Sequence, residues 1–248
     1  MPADRMTGSL NSRRLIYLFG IAGHAELSPA MRAVEEAGWE VIVPSVPGFD
    51  GVPGFQPRDE YLDWLTTYWD SIDATGAATG AAPCPIVGAS VGGMFAAELA
   101  ALRPEIVTGI ALLAPFGIAD ASHPGFNIYG TPGGERMAHL FAKGVPDAFV
   151  SRFAHLGVEE APVASYLSDV AAANILWPLG DRGIAKRLHR ITAPRLTLWG
   201  DLDEVNPVTN AAAWGGAQIV AGAGHLLEWD APEQVSTALL DFLRSLGR

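Results

Sequence analysis

Gly88-Ala89-Ser90-Val91-Gly92 lies between Cys84-Pro85-Ile86-Val87, a short apolar run of strand character, and Gly93-Met94-Phe95-Ala96-Ala97-Glu98-Leu99-Ala100-Ala101-Leu102, a run of good helix formers. In that setting G-x-S-x-G reads as a sharp strand-to-helix turn that holds its serine on a strained backbone. Glycines on either side let neighbouring backbone pass close by without a Cβ clash. The hydroxyl is then exposed, and the helix N-terminus behind it favours a developing negative charge. The pentapeptide alone suits a second reading, a tight turn whose serine merely caps the helix. With 28 glycines in 248 residues a chance match is easy, so the other segments decide.

Upstream and downstream of this turn, strand-like and helix-like segments alternate. Leu15–Phe19 reads as a strand, and 28–37 as a helix with Pro29 in its first turn, ended by Gly38. Trp39–Val43 is the next strand, stopped by Pro44 and followed by a Pro/Gly-rich loop. A helix spans Arg58–Ala74, its aromatics Tyr61, Trp64, Tyr68 and Trp69 at core spacing. Ile106–Leu113 is a buried strand. Continuous apolar strands joined by helices imply a parallel sheet covered on both faces. From about Gly117 to Ile191 no strand is evident, and short helices are expected at Arg136–Ala142, Asp147–His155 and Val163–Asn174. A connection this long inside one domain is usually functional, and it reads as a helical lid. The alternation returns with Arg195–Trp199, a helix near Pro207–Trp214, the strand Ala217–Val220 and a final helix from Pro232 to Leu246.

The whole chain sets outer bounds. A hydrophobic fraction of 49% with 17% charged residues suits one compact domain with a large core. A net charge of −11 argues against nucleic acid and against anionic membrane surfaces. The single cysteine, Cys84, excludes an internal disulfide framework and reads as a small buried residue opening a strand. Ser12-Arg13-Arg14-Leu15-Ile16-Tyr17-Leu18-Phe19 faintly resembles a twin-arginine export signal, with Ala22-Gly23-His24-Ala25 as a cleavage site. The apolar run there spans eight residues, Leu15 to Ala22, and reads better as a central strand. A cytoplasmic location is the expectation, and no apolar stretch is long enough to span a membrane.

A serine nucleophile needs a base, a group to orient it, and donors for the oxyanion. In open α/β sheets all of these belong at the carboxyl ends of strands. His225 follows the last strand in Ala221-Gly222-Ala223-Gly224-His225, at the correct end and on a flexible loop. Of the five other histidines, His123, His139 and His155 fall in the lid, His189 precedes a strand, and His24, near the first loop, is the rival. The orienting acid should follow the preceding strand, where Asp201, Asp203 and Glu204 compete. Asp203 clears the turn made by Gly200 and is favoured, with Asp201 the alternative, Glu204 third and Asp120 more distant.

Ser90, Asp203 and His225 occur in the nucleophile–acid–base order of the α/β-hydrolases. The chain resembles that superfamily, in its lid-bearing serine-esterase branch, from about Leu15 to Leu246. Val46-Pro47-Gly48-Phe49-Asp50-Gly51, the return from lid to core at Ile191–Gly200, and Gly224-His225-Leu226-Leu227-Glu228-Trp229-Asp230-Ala231-Pro232-Glu233 share the likeness. The resemblance implies an α/β-hydrolase fold, with a mostly parallel sheet of about six to eight strands flanked by helices. The core is expected over 1–116 and 192–248 and the lid over 117–191. It also implies an oxyanion hole from two backbone N–H groups, those of Val91 and Ile21. Gly20 matches the family's glycine, whereas Phe19 stands in place of its usual histidine. Only about 14 residues precede the first central strand, where the family usually has two more strands. That leaves Trp39–Val43 nearer the sheet edge.

The expected chemistry is acyl transfer to water through an acyl-enzyme, on a carboxylic ester or related acyl bond of a small apolar substrate. Gly20, Phe126, Trp177 and Leu226 are candidates to line the substrate site. No metal or organic cofactor is expected, since there is no P-loop, no G-x-G-x-x-G and no metal-spaced ligand set. The expected partner is a small molecule, with no nucleic acid and no membrane; a homodimer stays open. The alternative chemistry is carbon–carbon bond hydrolysis on the same triad. Such enzymes often carry tryptophan after the histidine and asparagine before the serine, where this chain has Leu226 and Ala89. Dehalogenases and epoxide hydrolases require an aspartate nucleophile, which Ser90 excludes. A non-catalytic ligand-binding member of the fold is the reading from a different class.

Overall fold

The computed structural model describes residues 13–20, 23, 26–46, 48–49, 60–79, 83–177 and 180–247. Six strands, β1 (Arg14–Leu18), β2 (Glu40–Ile42), β3 (Cys84–Ala89), β4 (Val107–Leu113), β5 (Arg195–Gly200) and β6 (Gln218–Val220), form one sheet in the order β2-β1-β3-β4-β5-β6. Every pairing is parallel. β1, β3 and β4 are buried almost throughout, as apolar strands covered on both faces must be.

The helices are α1 (Pro29–Glu36), α2 (Tyr61–Thr79), α3 (Val91–Leu102), α4 (Gly133–Arg136), α5 (Asp147–Val150), α6 (Glu160–Leu176), α7 (Leu227–Asp230) and α8 (Pro232–Ser245). α1 starts where the sequence signals it: Ser28 is the N-cap, its Oγ accepts the Met31 N–H at 3.3 Å, and Pro29 follows. α3 is apolar but for the buried Glu98 because it is covered on every side, by the sheet, α2 and α6. Cys84 is the buried first residue of β3, and burial pushes its thiol up to about 11.

The strand order fixes where a site can form. The chain steps from β1 outward to β2, then crosses to β3 on the other side of β1. The crevice at the carboxyl ends of β1 and β3 is therefore the point at which the strand order reverses, the usual ligand position in an open α/β sheet. Leu18 pairs with Gly88 there, so Gly20 and Ser90 leave the sheet side by side. Among the described residues β1 is the first strand and β2 lies at the edge.

Between β4 and β5 the described residues carry helices and no strand. Two of the helices expected there are shorter than the sequence predicts. Arg136–Ala142 resolves into α4 and a 3-10 turn at Met137–Leu140, and the Leu140 carbonyl accepts the Leu226 N–H at 3.1 Å instead of extending a helix. Asp147–His155 ends as α5 at Val150, where the Ser151 hydroxyl bonds back to the Asp147 carbonyl at 2.9 Å. The segment near Pro207 is a 3-10 helix, Val208–Trp214, rather than an α-helix. No described helix is long and apolar enough to cross a membrane.

Candidate active site

Ser90 ends β3 and opens α3 with φ +54° and ψ −118°. Among the described residues it shares a positive φ with only one other non-glycine residue, Ala114. Such a backbone costs about 1–3 kcal/mol and persists only where its surroundings enforce it. Here the Ser90 N–H donates to the Leu113 carbonyl at 2.8 Å, while its own carbonyl accepts the N–H groups of Met94 at 3.2 Å and Phe116 at 3.1 Å. Gly92 is required on steric grounds, since a Cβ there would lie 2.1 Å from the Leu18 carbonyl oxygen. The Ser90 side chain makes no capping bond to the helix it opens. Its Oγ lies 2.8 Å from His225 Nε2.

From His225 the chain of hydrogen bonds continues. Nδ1 lies 2.9 Å from Asp203 Oδ2, and neither side chain has any solvent exposure. The other carboxylate oxygen, Oδ1, accepts the backbone N–H groups of Val205 at 3.0 Å and Asn206 at 2.8 Å. A carboxylate accepting at both oxygens is fixed in orientation and fixes the imidazole in turn. The structure thus brings Ser90, His225 and Asp203 together. Asp201 instead accepts the Gly222 N–H at 2.7 Å, Glu204 bonds His139 at 2.6 Å, and Asp120 bonds Ser122 and His123. His24 lies outside the described residues.

The loop that carries His225 is held by an acid the sequence did not single out. Asp230 Oδ2 accepts both the Gly224 N–H and the Ala142 N–H at 2.8 Å, tying the histidine loop to the segment between β4 and β5. The signal was an acid one short helix beyond the histidine, just ahead of Ala231-Pro232. Phe116, also not singled out, lies with its ring centroid 5.1 Å from that of His225. Glu228 is fully buried in α7, and burial pushes its carboxyl up to about 7 against a backbone hydrogen bond and the attraction of His225. The same burial, with Glu228 nearby, drives the Tyr17 phenol well above its usual range.

Val91 is the first residue of α3, so its N–H has no intrahelical acceptor and lies next to Ser90. Ile21, the expected second oxyanion donor, lies outside the described residues. Gly20 abuts the turn at Ser90, where a Cβ would come within 2.8 Å of Ser90 Cβ. Phe19, at the position of the family's usual histidine, is buried edge-on against Phe49, with centroids 4.8 Å apart. Of the remaining substrate-site candidates, Phe126 stacks on His139 at 3.6 Å and Leu226 is fully buried. Trp177 is half exposed and lines a cavity of about 440 Å³ whose wall includes Phe116. A more open groove of about 640 Å³ lies beside α8, and neither space has Ser90, His225 or Asp203 in its wall. Among the described residues no group of three or more His, Cys, Asp and Glu could hold a metal ion.

This parallel sheet, its strained strand-to-helix serine and the buried histidine–carboxylate pair define the class. The chain belongs to the alpha/beta hydrolase family, whose model matches residues 18–238. Among curated proteins it is 29% identical over 191 residues to a Mycobacterium tuberculosis protein provisionally named non-heme bromoperoxidase BpoC, covering 66% of this chain and 70% of that one. Among solved structures it is similar to a bacterial membrane phospholipase A, with a TM-score of 0.74, 23% identity, and coverage of 97% of this chain and 81% of that one. It is similar also to the 2-hydroxy-6-oxo-6-phenylhexa-2,4-dienoate hydrolase of Rhodococcus sp. strain RHA1, with a TM-score of 0.73, 19% identity, and coverage of 94% and 91%.

Proposed function

We propose that the chain is a serine hydrolase that cleaves a carboxylic ester, or a related acyl bond, of a small and largely apolar substrate through an acyl-enzyme. One observation carries the reading: a buried, unbroken hydrogen-bond chain from Ser90 Oγ through His225 to Asp203, built on a strained serine. A serine that merely capped α3 would need neither the strain nor the imidazole.

In the first half-reaction His225 Nε2 takes the Ser90 proton as Oγ bonds to the acyl carbon. The carbonyl π pair moves onto oxygen, which faces the Val91 N–H and, as the family resemblance implies, that of Ile21. Each such donor is worth roughly 3 kcal/mol in the transition state. Collapse breaks the bond to the leaving oxygen, which receives the proton from His225. Water then repeats the sequence on the acyl-enzyme, releasing the acid and restoring the serine. Asp203 stabilises the imidazolium formed at each stage. The segment 117–191 acts as the lid, and Trp177 contributes to the substrate wall.

Hydrolysis of p-nitrophenyl esters of increasing acyl length, with Ser90→Ala alongside, tests this. Turnover by the wild type, lost by at least about 1,000-fold in the variant, is the expected result. A folded protein that hydrolyses none of them, yet is labelled at Ser90 by an active-site phosphonate, would move the reading to carbon–carbon bond hydrolysis. Absence of both would move it to ligand binding.

A further inference from the structure

The buried residues of α6 are Ser168, Ala171, Ala172, Ile175 and Leu176, and Ser168 is the polar one. It is 4% exposed, and its Oγ has no hydrogen-bond partner among the described residues. A serine inside a helix has an acceptor at hand, the carbonyl four residues back. Thr66, Thr67, Ser71 and Thr75 of α2 all use it, at 2.8 or 3.0 Å. Ser168 makes no such bond to the Ala164 carbonyl. Its hydroxyl lies instead against the loop after β1: a Cβ at Gly23 would come within 2.1 Å of Ser168 Oγ, and within 3.5 Å of Phe49 Cε1.

The contact runs on to Ser90. Gly23, at φ +74°, donates its N–H to the Gly20 carbonyl at 3.2 Å and so closes a turn. Gly20, at the other end of that turn, packs on Ser90, with 2.8 Å between a Cβ there and Ser90 Cβ. In sequence the two glycines bracket Ile21, the second oxyanion donor that the family resemblance implies. We propose that Ser168 is a positioning residue: its hydroxyl seats Gly23, and with it the turn that ends on Ser90, so that the oxyanion site takes its working shape only with α6 in place. The unpaired hydroxyl is what points to function. Alanine would fit the same space, is the better helix former, and would bury no unsatisfied polar group. A side chain that breaks these local rules without a local gain marks a functional position. The role rests on the serine-hydrolase reading above.

The test measures kcat, KM and the urea midpoint of the full chain, as wild type, Ser168→Ala and Ser168→Cys, on one p-nitrophenyl ester. Ser168→Ala should unfold at the same or a higher urea concentration, yet lose at least about five-fold in kcat with KM held within about two-fold. Ser168→Cys, which returns a γ atom to the face of Gly23, should recover most of the lost kcat. A hydroxyl that served only to pack α6 would lower the midpoint and leave kcat alone. Wild-type kcat in Ser168→Ala, a loss that falls on KM, or a kcat loss that Ser168→Cys does not recover overturns the inference while the esterase stands. If the wild type cleaves no ester, the hydrolase reading fails, and the rate at which a fluorophosphonate labels Ser90 reads the turn instead. Slower labelling in Ser168→Ala, restored in Ser168→Cys, sustains the positioning role. Equal rates, or no labelling in any of the three, overturn it.

Discussion

Glu98, a carboxylate on α3 with no solvent exposure, is gripped by the guanidinium of Arg187 from the segment that returns to β5. The Arg187 Nε donates to Glu98 Oε2 at 2.7 Å and a second nitrogen reaches Oε1, while the Tyr61 hydroxyl donates to Oε1 at 2.8 Å. The helix that carries Ser90 is thereby tied to α2 and to the far end of the connection between β4 and β5. Removing Arg187 leaves Glu98 buried with a phenol as its remaining partner in this group. Arg187→Met should therefore destabilise the protein by about 3–5 kcal/mol, and Glu98→Gln/Arg187→Met by distinctly less. Urea unfolding of the two variants checks this; equal losses would show that packing, not the unpaired charge, sets the cost.

Asp203→Asn should lower kcat by about 1,000- to 10,000-fold. The carboxylate accepts at both oxygens, and an amide has one oxygen to offer. With that oxygen on Val205 and Asn206, the amide nitrogen faces His225 Nδ1 and forces the proton onto Nε2, where it cannot receive the Ser90 proton. Asp201→Asn, at a carboxylate that accepts the Gly222 N–H and lies outside the Ser90–His225–Asp203 chain, should cost less than about ten-fold. Steady-state kinetics on one ester compares the two; similar losses would remove Asp203 from its role.

These two acids also mark where sequence stops being informative. The turn around Ser90 was legible because its glycines, apolar strand and helix formers are all local. His225 was legible because two glycines and a short strand precede it. Asp201, Asp203 and Glu204 carry the same chemistry within four positions, and the choice among them depends on the turn in which the Asp203 N–H bonds the Gly200 carbonyl at 3.4 Å. Phe116, Asp230 and the Glu98–Arg187 pair act across long sequence separations, which composition and periodicity do not encode. The helices expected at Arg136–Ala142 and Asp147–His155 are cut short where the Leu140 carbonyl takes the Leu226 N–H and the Asp147 carbonyl takes the Ser151 hydroxyl, partners that helical periodicity does not announce.

Gly20→Ala should impair turnover more than folding. The added methyl would lie 2.8 Å from Ser90 Cβ and 3.2 Å from the Ala89 carbonyl oxygen, so either Ser90 or the loop after β1 must shift by several tenths of an ångström. A misplacement near 1 Å costs about 100-fold in rate, and at least about ten-fold is expected here. Thermal unfolding and kcat are measured together. A fall in stability with kcat intact would show that the strain is absorbed away from Ser90.

Glu228 sets the fourth expectation, a loss of stability as pH rises. Burial raises its carboxyl from an ordinary 4.5 to about 7 in the folded protein. Between those values the folded state holds a proton that the unfolded chain releases, so folding is favoured at the acid end of the window and penalised as pH climbs through it. Above pH 7 the penalty levels off at no more than about 3 kcal/mol, the shift converted at 1.36 kcal/mol per unit. Glu228→Gln removes the titrating group while keeping its shape. Relative to the wild type it should gain stability steadily between pH 5 and 7.5, in chemical denaturation at each pH. Asp120, whose shift is opposite, is present in both proteins and cancels from the comparison. A difference between the two proteins that does not change with pH would mean the Glu228 carboxyl is ionised in the fold throughout. Its charge would then be stabilised by His225 and the backbone despite the burial.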